Sequence, residues 1–501
     1  MMLWCVLVGA ALAQSPDGRK TRADAEASVV ASDAAVDDRK TGVDGPDRSA
    51  PPEVLPADII SQPEPAVHAL WPGVVAWHVR VPSVRKVEVQ VVPRIGALDL
   101  LDREDGRGEA TGWLMDVAAG GWDSTELEIL EDMNDLDVSS GLDQHDGTLG
   151  LSVPRDELKL GLDVLGNVVR NPTFKGGDIK LYKREMSIWY DVVAPQSQSQ
   201  VARSALTHAW YPADHPYGTR TSLEVLQSLK RKDLAGIHEQ WISTAPVHVL
   251  VVGDVAWKRL EPDLRNALAG VGADADASVK RAFDPRPGTR VVAVDMPGQE
   301  QVAIQYRIDG PHSTDDEYPA MRAANWILGG HFLSRLNANL REEKGLTYGS
   351  RSSYYADETR GSVTISVDVK AENAAVAVTE IGNEVAQIRD SGVTTDELWA
   401  AYASSVSSWN DTRQSAESAM RFYRQLFDRG QTVADGKAEL DALGALTPEM
   451  VQAAAAKWLA PDAPQLWVFV GSRDALEPQL AELGLEPEWT TAREAIDGTL
   501  E

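Results

Sequence analysis

Val87, Val89 and Val91 alternate with Lys86, Glu88 and Gln90, a period of two that predicts a strand with one buried face. The same period returns at Val302, Ile304, Tyr306 and Ile308, interleaved with Ala303, Gln305 and Arg307. Each strand opens one half of a repeat, and the halves also close alike. Lys232-Asp233-Leu234 begins an amphipathic stretch that runs through Trp241 into Val249-Leu250-Val251-Val252-Gly253; Thr447-Pro448-Glu449 runs through Trp458 into Leu466-Trp467-Val468-Phe469-Val470-Gly471. The tryptophans lie 217 residues apart and the final glycines 218, so one insertion separates two copies of a helix-strand unit.

Thr221 with Glu224 and Thr394 with Glu397 have capping-box spacing, and Thr447 before Pro448 is a helix start. Strands interleaved with long helices predict an α+β fold in each half, a mixed sheet flanked by helices. The expected boundaries are a first domain at 64–272, a linker at 273–288 without apolar periodicity, a second domain at 289–475 and a tail at 476–501.

Before the repeat, Met1 to Ala13 is apolar and ends in Ala11-Leu12-Ala13, a small-x-small pattern that signal peptidase cuts. Residues 1–14 therefore read as a signal peptide, and the expected location is exported, periplasmic or envelope-associated. Residues 15–63, rich in Ala, Asp, Ser and Pro, read as a flexible linker that buries too little apolar surface to offset chain entropy. The only cysteine, Cys5, falls in the leader. No later run of apolar residues reaches membrane-spanning length. With 76 acidic against 48 basic side chains, the net charge of -28 repels phosphate backbones and argues against nucleic acid.

The candidate chemistry sits in the second half. Leu328-Gly329-Gly330 is followed by Ser334-Arg335-Leu336 and by Leu340-Arg341-Glu342-Glu343-Lys344-Gly345-Leu346-Thr347-Tyr348. Gly329-Gly330 lacks the Lys-Ser/Thr of a phosphate loop and reads as close packing within a helix. The Leu340 to Tyr348 run resembles the second-domain signature of the insulinase-like (pitrilysin-type) zinc peptidases. Arg170-Asn171-Pro172-Thr173-Phe174 and His215-Pro216-Tyr217-Gly218 agree with it, and the resemblance spans about Ala66 to Asp474. It implies a clam-shell of two homologous domains, zinc on the first, and an Arg-Tyr pair on the second reaching the substrate. Carried over, that pair is Arg341 and Tyr348, both able to hydrogen-bond a carbonyl oxygen that gains charge in the transition state. On the residues alone, Arg341 could equally pair with Glu342, and Tyr348 could pack at the start of a strand.

The zinc half does not follow. The family places two histidines in H-x-x-E-H on a first-domain helix and a glutamate roughly 75 residues on. By order of elements that helix precedes Gly120-Gly121, which puts Trp113 and Val117 at the histidine positions, Asp116 at the base, and Val192 or Val193 at the distal ligand. A slip of one or two residues does not restore it, because no histidine occurs between His78 and His145. His238-Glu239 begins H-E-x-x-H, but Ile242 closes it. The expectation is therefore a chain with no metal or cofactor of its own, acting on peptides with a zinc-bearing partner subunit. The alternative is a binding or scaffold protein that uses the same fold without catalysis.

Overall fold

The computed structural model describes residues 58–101, 105–212, 215–218, 221–286 and 288–499. The expected signal peptide and most of the expected linker lie outside these residues. Each half folds around a six-stranded mixed sheet. The first contains β1 (Ala66–Trp71), β2 (Val74–Arg80), β3 (Lys86–Pro93), β4 (Asp137–Leu142), β5 (Gly147–Pro154) and β6 (Val247–Gly253), in the order β1-β2-β6-β3-β5-β4. The second contains β7 (Thr289–Asp295), β8 (Gln301–Asp309), β9 (Ser350–Ala356), β10 (Gly361–Lys370), β11 (Gln465–Gly471) and β12 (Glu488–Thr491), in the order β12-β7-β11-β8-β10-β9.

Five strands correspond one to one. β6 runs parallel to β2 and antiparallel to β3, as β11 runs parallel to β7 and antiparallel to β8. The strands recognised by alternation are β3 and β8, and each is preceded by another. The sixth strand differs: β1 hairpins onto β2, whereas β12 comes from beyond residue 475 and runs parallel to β7. The expected C-terminal tail is thus integral to the second half, where Leu476 and Leu480 are buried in the core.

Both sheets are buried on both faces, and the two faces have different owners. Val87, Val89, Val91, Val249 and Val251 pack on first-half helices, including Leu158–Arg170 and Arg231–Thr244. Their neighbours Val79, Val92, Leu250 and Val252 point the other way, onto Met420, Tyr423 and Phe427 of the second-half helix Ala416–Asp428. The exchange is reciprocal. The first-half helix Gln198–Trp210 lays Val201, Ala205 and Leu206 against Val292, Val294, Val468 and Val470. Each half keeps a core of its own on one sheet face, and burying Met420, Tyr423, Leu426 and Phe427 on the other contributes on the order of 10 kcal/mol before chain entropy is counted.

The end of the expected linker is also held. Gln62 is buried and its Nε2 donates to Trp409 O at 2.9 Å, while Trp409 Nε1 donates to Ile60 O at 2.8 Å. Glu64 accepts from Val433 and Ala434 N–H at the start of the helix Val433–Gly444, satisfying donors that a helix end leaves unpaired. Backbone carbonyls of a polar segment thus find partners on the second half. Composition alone does not reveal that.

Candidate functional site

The helix Arg107–Met115 and the segment Trp326–Gly330 occupy equivalent places, each against the outermost strand of its sheet. Gly112 and Gly329, again 217 residues apart, make the approach possible. A Cβ on Gly112 would stand 2.3 Å from Leu142 N, and one on Gly329 would stand 2.6 Å from Ser352 N. Close packing is what Gly329 provides.

In the first half, Trp113 is 42% exposed and its ring centroid lies 5.0 Å from that of Tyr182, which is fully buried on the helix Gly176–Ile188. Tyr182, ten residues before Val192, is therefore the distal-helix residue that meets Trp113. Val192 and Val193 are 49% and 38% exposed. Val117 is half-buried against the first core. Asp116 accepts from Ser140 N at 2.9 Å, and Ser140 Oγ donates to Gly112 O. Burial pushes the Asp116 carboxyl up to about 7, against the Ser140 hydrogen bonds. Glu131 accepts from Val138 N at 3.3 Å and is pushed up to about 7, again chiefly by burial. Two carboxyls thus take the backbone donors of β4 at alternate residues.

In the second half, side-chain bonds add to apolar packing around the segment that carries Arg341 and Tyr348. Asn337 is buried, accepts from Ser350 N at 2.9 Å and donates to Ser350 O at 3.0 Å, imitating a neighbouring strand at the edge of β9. Arg335 forms a bidentate pair with Glu397 at 2.7 and 2.8 Å. Burial alone would raise the Glu397 carboxyl, but Arg335 and the Thr394 cap outweigh it and hold it at about 2. Asn339 bridges Glu380 and Glu384 at 2.9 and 2.7 Å.

Leu336 and Leu340 are fully buried, which turns Arg341 outward. Its Nε lies 3.4 Å from Glu342 Oε1 and its guanidinium 4.2 Å over the Phe332 ring. The local pairing with Glu342 is therefore present. Gly345, at φ +61°, ends the helical segment in the left-handed region, and Leu346 N returns to Leu340 O. Tyr348 follows at 97% exposure, so it does not pack. Phe332 and Leu333 are 65% and 80% exposed, giving an apolar surface beside Arg341.

The peptidase M16 inactive domain matches residues 228–404, from the close of the first half through the Arg-Tyr segment. In this segment and in fold, the chain is insulinase-like. A peptidase M16 inactive domain from Pseudomonas fluorescens superposes with a TM-score of 0.70 at 20% identity, covering 81% of this chain and 98% of that one. A Helicobacter pylori protease gives 0.70 at 15% identity over 81% and 98%. The periplasmic protease PqqL from Escherichia coli gives 0.68 at 14% identity, over 80% of this chain and 44% of PqqL. At these identities the likeness is one of fold. No curated protein matches the sequence.

The end of the helix Arg107–Met115 does not fit zinc. Trp113 offers no lone pair to a metal, Val117 offers none, and a phenol rather than a carboxylate stands opposite. Among the described residues, no three His, Cys, Asp or Glu side chains converge as a metal site. Several histidines are otherwise engaged: His78 Nε2 is 3.0 Å from Val255 O, His238 Nε2 is 2.8 Å from Val169 O, and His145 Nε2 is 2.8 Å from Tyr217 OH. Also among the described residues, no helix is long and apolar enough to cross a membrane.

The capping box at Thr221 and Glu224 does not form. Ser222 caps the helix Leu223–Ser228 instead, accepting from Val225 N, and Thr221 Oγ1 donates to Glu109. Adjacent hydroxyls make either choice compatible with the sequence, and the contact with Glu109 decides between them. Thr394 with Glu397 and Thr447 with Pro448 cap as expected.

Proposed function

We propose that the chain is a non-zinc-binding insulinase-like subunit that contributes Arg341 and Tyr348 to peptide hydrolysis by a zinc-bearing H-x-x-E-H partner. The observation that carries this reading is the contrast between the halves. The Trp113 ring, at an expected histidine position, meets the Tyr182 ring at a 42° tilt, while Tyr348 is held at 97% exposure on a segment anchored by Asn337, Asn339 and Arg335. The exposed Tyr348 phenol and the Arg341 guanidinium, seven residues before it, are available to a substrate carbonyl brought by another chain. The exposed Phe332 under Arg341, with the exposed Leu333 next in sequence, suits contact with a macromolecule. The neighbour FusC is described as a ferredoxin protease in complex with Arabidopsis ferredoxin, which supports peptide or protein handling as the context. Export, read from Ala11-Leu12-Ala13, accords with the periplasmic description of PqqL.

The test is co-purification with an H-x-x-E-H homologue, followed by a peptide-cleavage assay. The pair is expected to cleave in a chelator-sensitive manner, and Arg341→Ala and Tyr348→Phe should each lower kcat at least tenfold without dissociating it. A stable pair with no cleavage in any combination would favour the scaffold reading and sink this one.

A further inference from the structure

The turn at residues 331–334 is held from both sides. The His331 ring stacks on Trp326 at 3.7 Å and 6°, and the His331 carbonyl accepts from Ser334 N and from Asn337 Nδ2, each at 3.2 Å. Ser334 closes the turn and is buried. Asn337 also opens the helical segment Asn337–Glu343, which carries Arg341, and is fixed to β9 through Ser350. One amide therefore ties together the turn, the edge strand and the segment of the arginine. Phe332 stands exposed on this anchored backbone.

The Arg341 guanidinium lies over that ring, 4.2 Å from its centroid, with Nε 3.4 Å from Glu342 Oε1. The Glu342 side chain is exposed, so water screens the ion pair and it gives the arginine little direction. The ring gives more, because a cation is drawn to the face of an aromatic ring and not to its edge. The Nη1 and Nη2 donors remain, and neither makes a hydrogen bond among the described residues. An arginine that takes a substrate carbonyl from free solution gives up the freedom of several side-chain torsions; one already held gives up less. Tyr348 has no such support, since among the described residues its side chain makes no ring contact and no hydrogen bond.

We propose that Phe332 is the positioning residue for Arg341: its ring face holds the guanidinium in the free chain and leaves the Nη donors to the substrate carbonyl. This rests on the reading that Arg341 contacts the substrate, and it separates the pair. Arg341 is set before the substrate arrives, whereas Tyr348 is ordered by it.

The contact is tested first on the full chain alone, by NMR of arginine Nε–H groups, with the Arg341 signal assigned from Arg341→Lys. The ring current is expected to hold that signal upfield of an exposed arginine. Phe332→Leu should return it to the exposed position, and Phe332→Tyr, which keeps the ring face, should not. The second test is on the cleaving pair. There Phe332→Leu should lower kcat roughly two- to fivefold with KM unchanged, the size of an exposed cation–π contact, and Phe332→Tyr should restore it. In an Arg341→Ala background, Phe332→Leu should have no further effect. An Arg341 signal indifferent to Phe332→Leu would overturn the proposal, as would an unchanged kcat, equal losses for the two Phe332 variants, or an undiminished loss in the Arg341→Ala background. A pair that does not cleave sinks the subunit reading alone, because the NMR comparison on the free chain still decides whether Phe332 holds Arg341.

Discussion

The guanidinium of Arg360 lies 3.7 Å over the ring of Tyr217, and the two residues belong to different halves of the repeat. Arg360 also donates to Tyr211 OH at 2.9 Å and pairs with the buried Asp357 at 3.3 Å. The Tyr217 hydroxyl accepts from Arg281 N at 2.9 Å, so the interdomain linker is drawn into the same contact. Phe283 of that linker packs on Tyr211 and His215. A segment whose composition suggests a free connection is thus pinned by rings from His215-Pro216-Tyr217-Gly218.

Removing Arg360 leaves Asp357 buried without its cation and Tyr211, Tyr217 and Tyr355 without their centre. Arg360→Ala is expected to destabilise the protein by roughly 2–4 kcal/mol, read as a lower urea midpoint with an unchanged slope. Tyr217→Leu, which keeps an apolar side chain but loses the π face and hydroxyl, should cost about half as much. An unchanged midpoint for both would show that the exchanged helices alone hold the halves together.

The paired glycines make a sharper demand. Gly329→Ala is expected to cost about 2–3 kcal/mol, since its Cβ would meet the Ser352 backbone nitrogen at 2.6 Å, and a backbone atom cannot step aside as a side chain can. Gly330→Ala, with its nearest atom at 3.3 Å, should cost less than about 1 kcal/mol. Thermal melts of the two variants decide the point. Equal losses would mean that the segment shifts as a body and that Gly329 is not the contact.

The duplication is legible in the sequence because Trp241 and Trp458, with Gly253 and Gly471, recur at nearly constant offset in units that need a large anchor and a strand end. β3 and β8 are legible for a related reason, since each alternates apolar residues with polar or small ones. β2 and β7 are not, because sheets covered on both faces need no such alternation, and Val291 to Val294 read as one apolar run. The helix exchange is invisible for a simpler reason: Met420, Tyr423 and Phe427 would show the same spacing whichever sheet they covered. At the site, the absence of any histidine between His78 and His145 is read from residue type alone. The meeting of Trp113 with Tyr182 does not, since helix-to-helix distance depends on loop lengths that sequence order does not convey.

Asp116 and Glu131 give the protein a pH dependence of definite sign. Both are raised to about 7 in the folded protein, above ordinary carboxyl values near 4, so the folded state holds these protons more tightly than the unfolded chain. Their stabilisation is fully present below about pH 4 and is lost as pH rises through 7. Asp116→Asn, which keeps an acceptor for Ser140 N, removes that group's share. The variant should gain roughly 1–2 kcal/mol on the parent between pH 5 and pH 8, measured as the difference between their urea curves. A difference independent of pH would mean that the Asp116 carboxyl titrates as if exposed.

The absence of zinc ligands can be tested by attempting to restore them. Trp113→His with Val117→His places two imidazoles four residues apart, the spacing that two ligands of a helical zinc motif require, and leaves Asp116 at the base position. The third ligand is still missing, because Val192 or Val193 stands at its expected position and Tyr182 is the distal-helix residue whose ring meets Trp113. Two imidazoles alone hold zinc weakly, and Val117 is half-buried, so the new histidine at that position also loses solvation. Elemental analysis of the dialysed double variant is therefore expected to find well below one zinc per chain and no peptidase activity. One tightly held zinc would mean that a carboxylate already lies within reach of Trp113, and the contrast between the two halves would lose its basis.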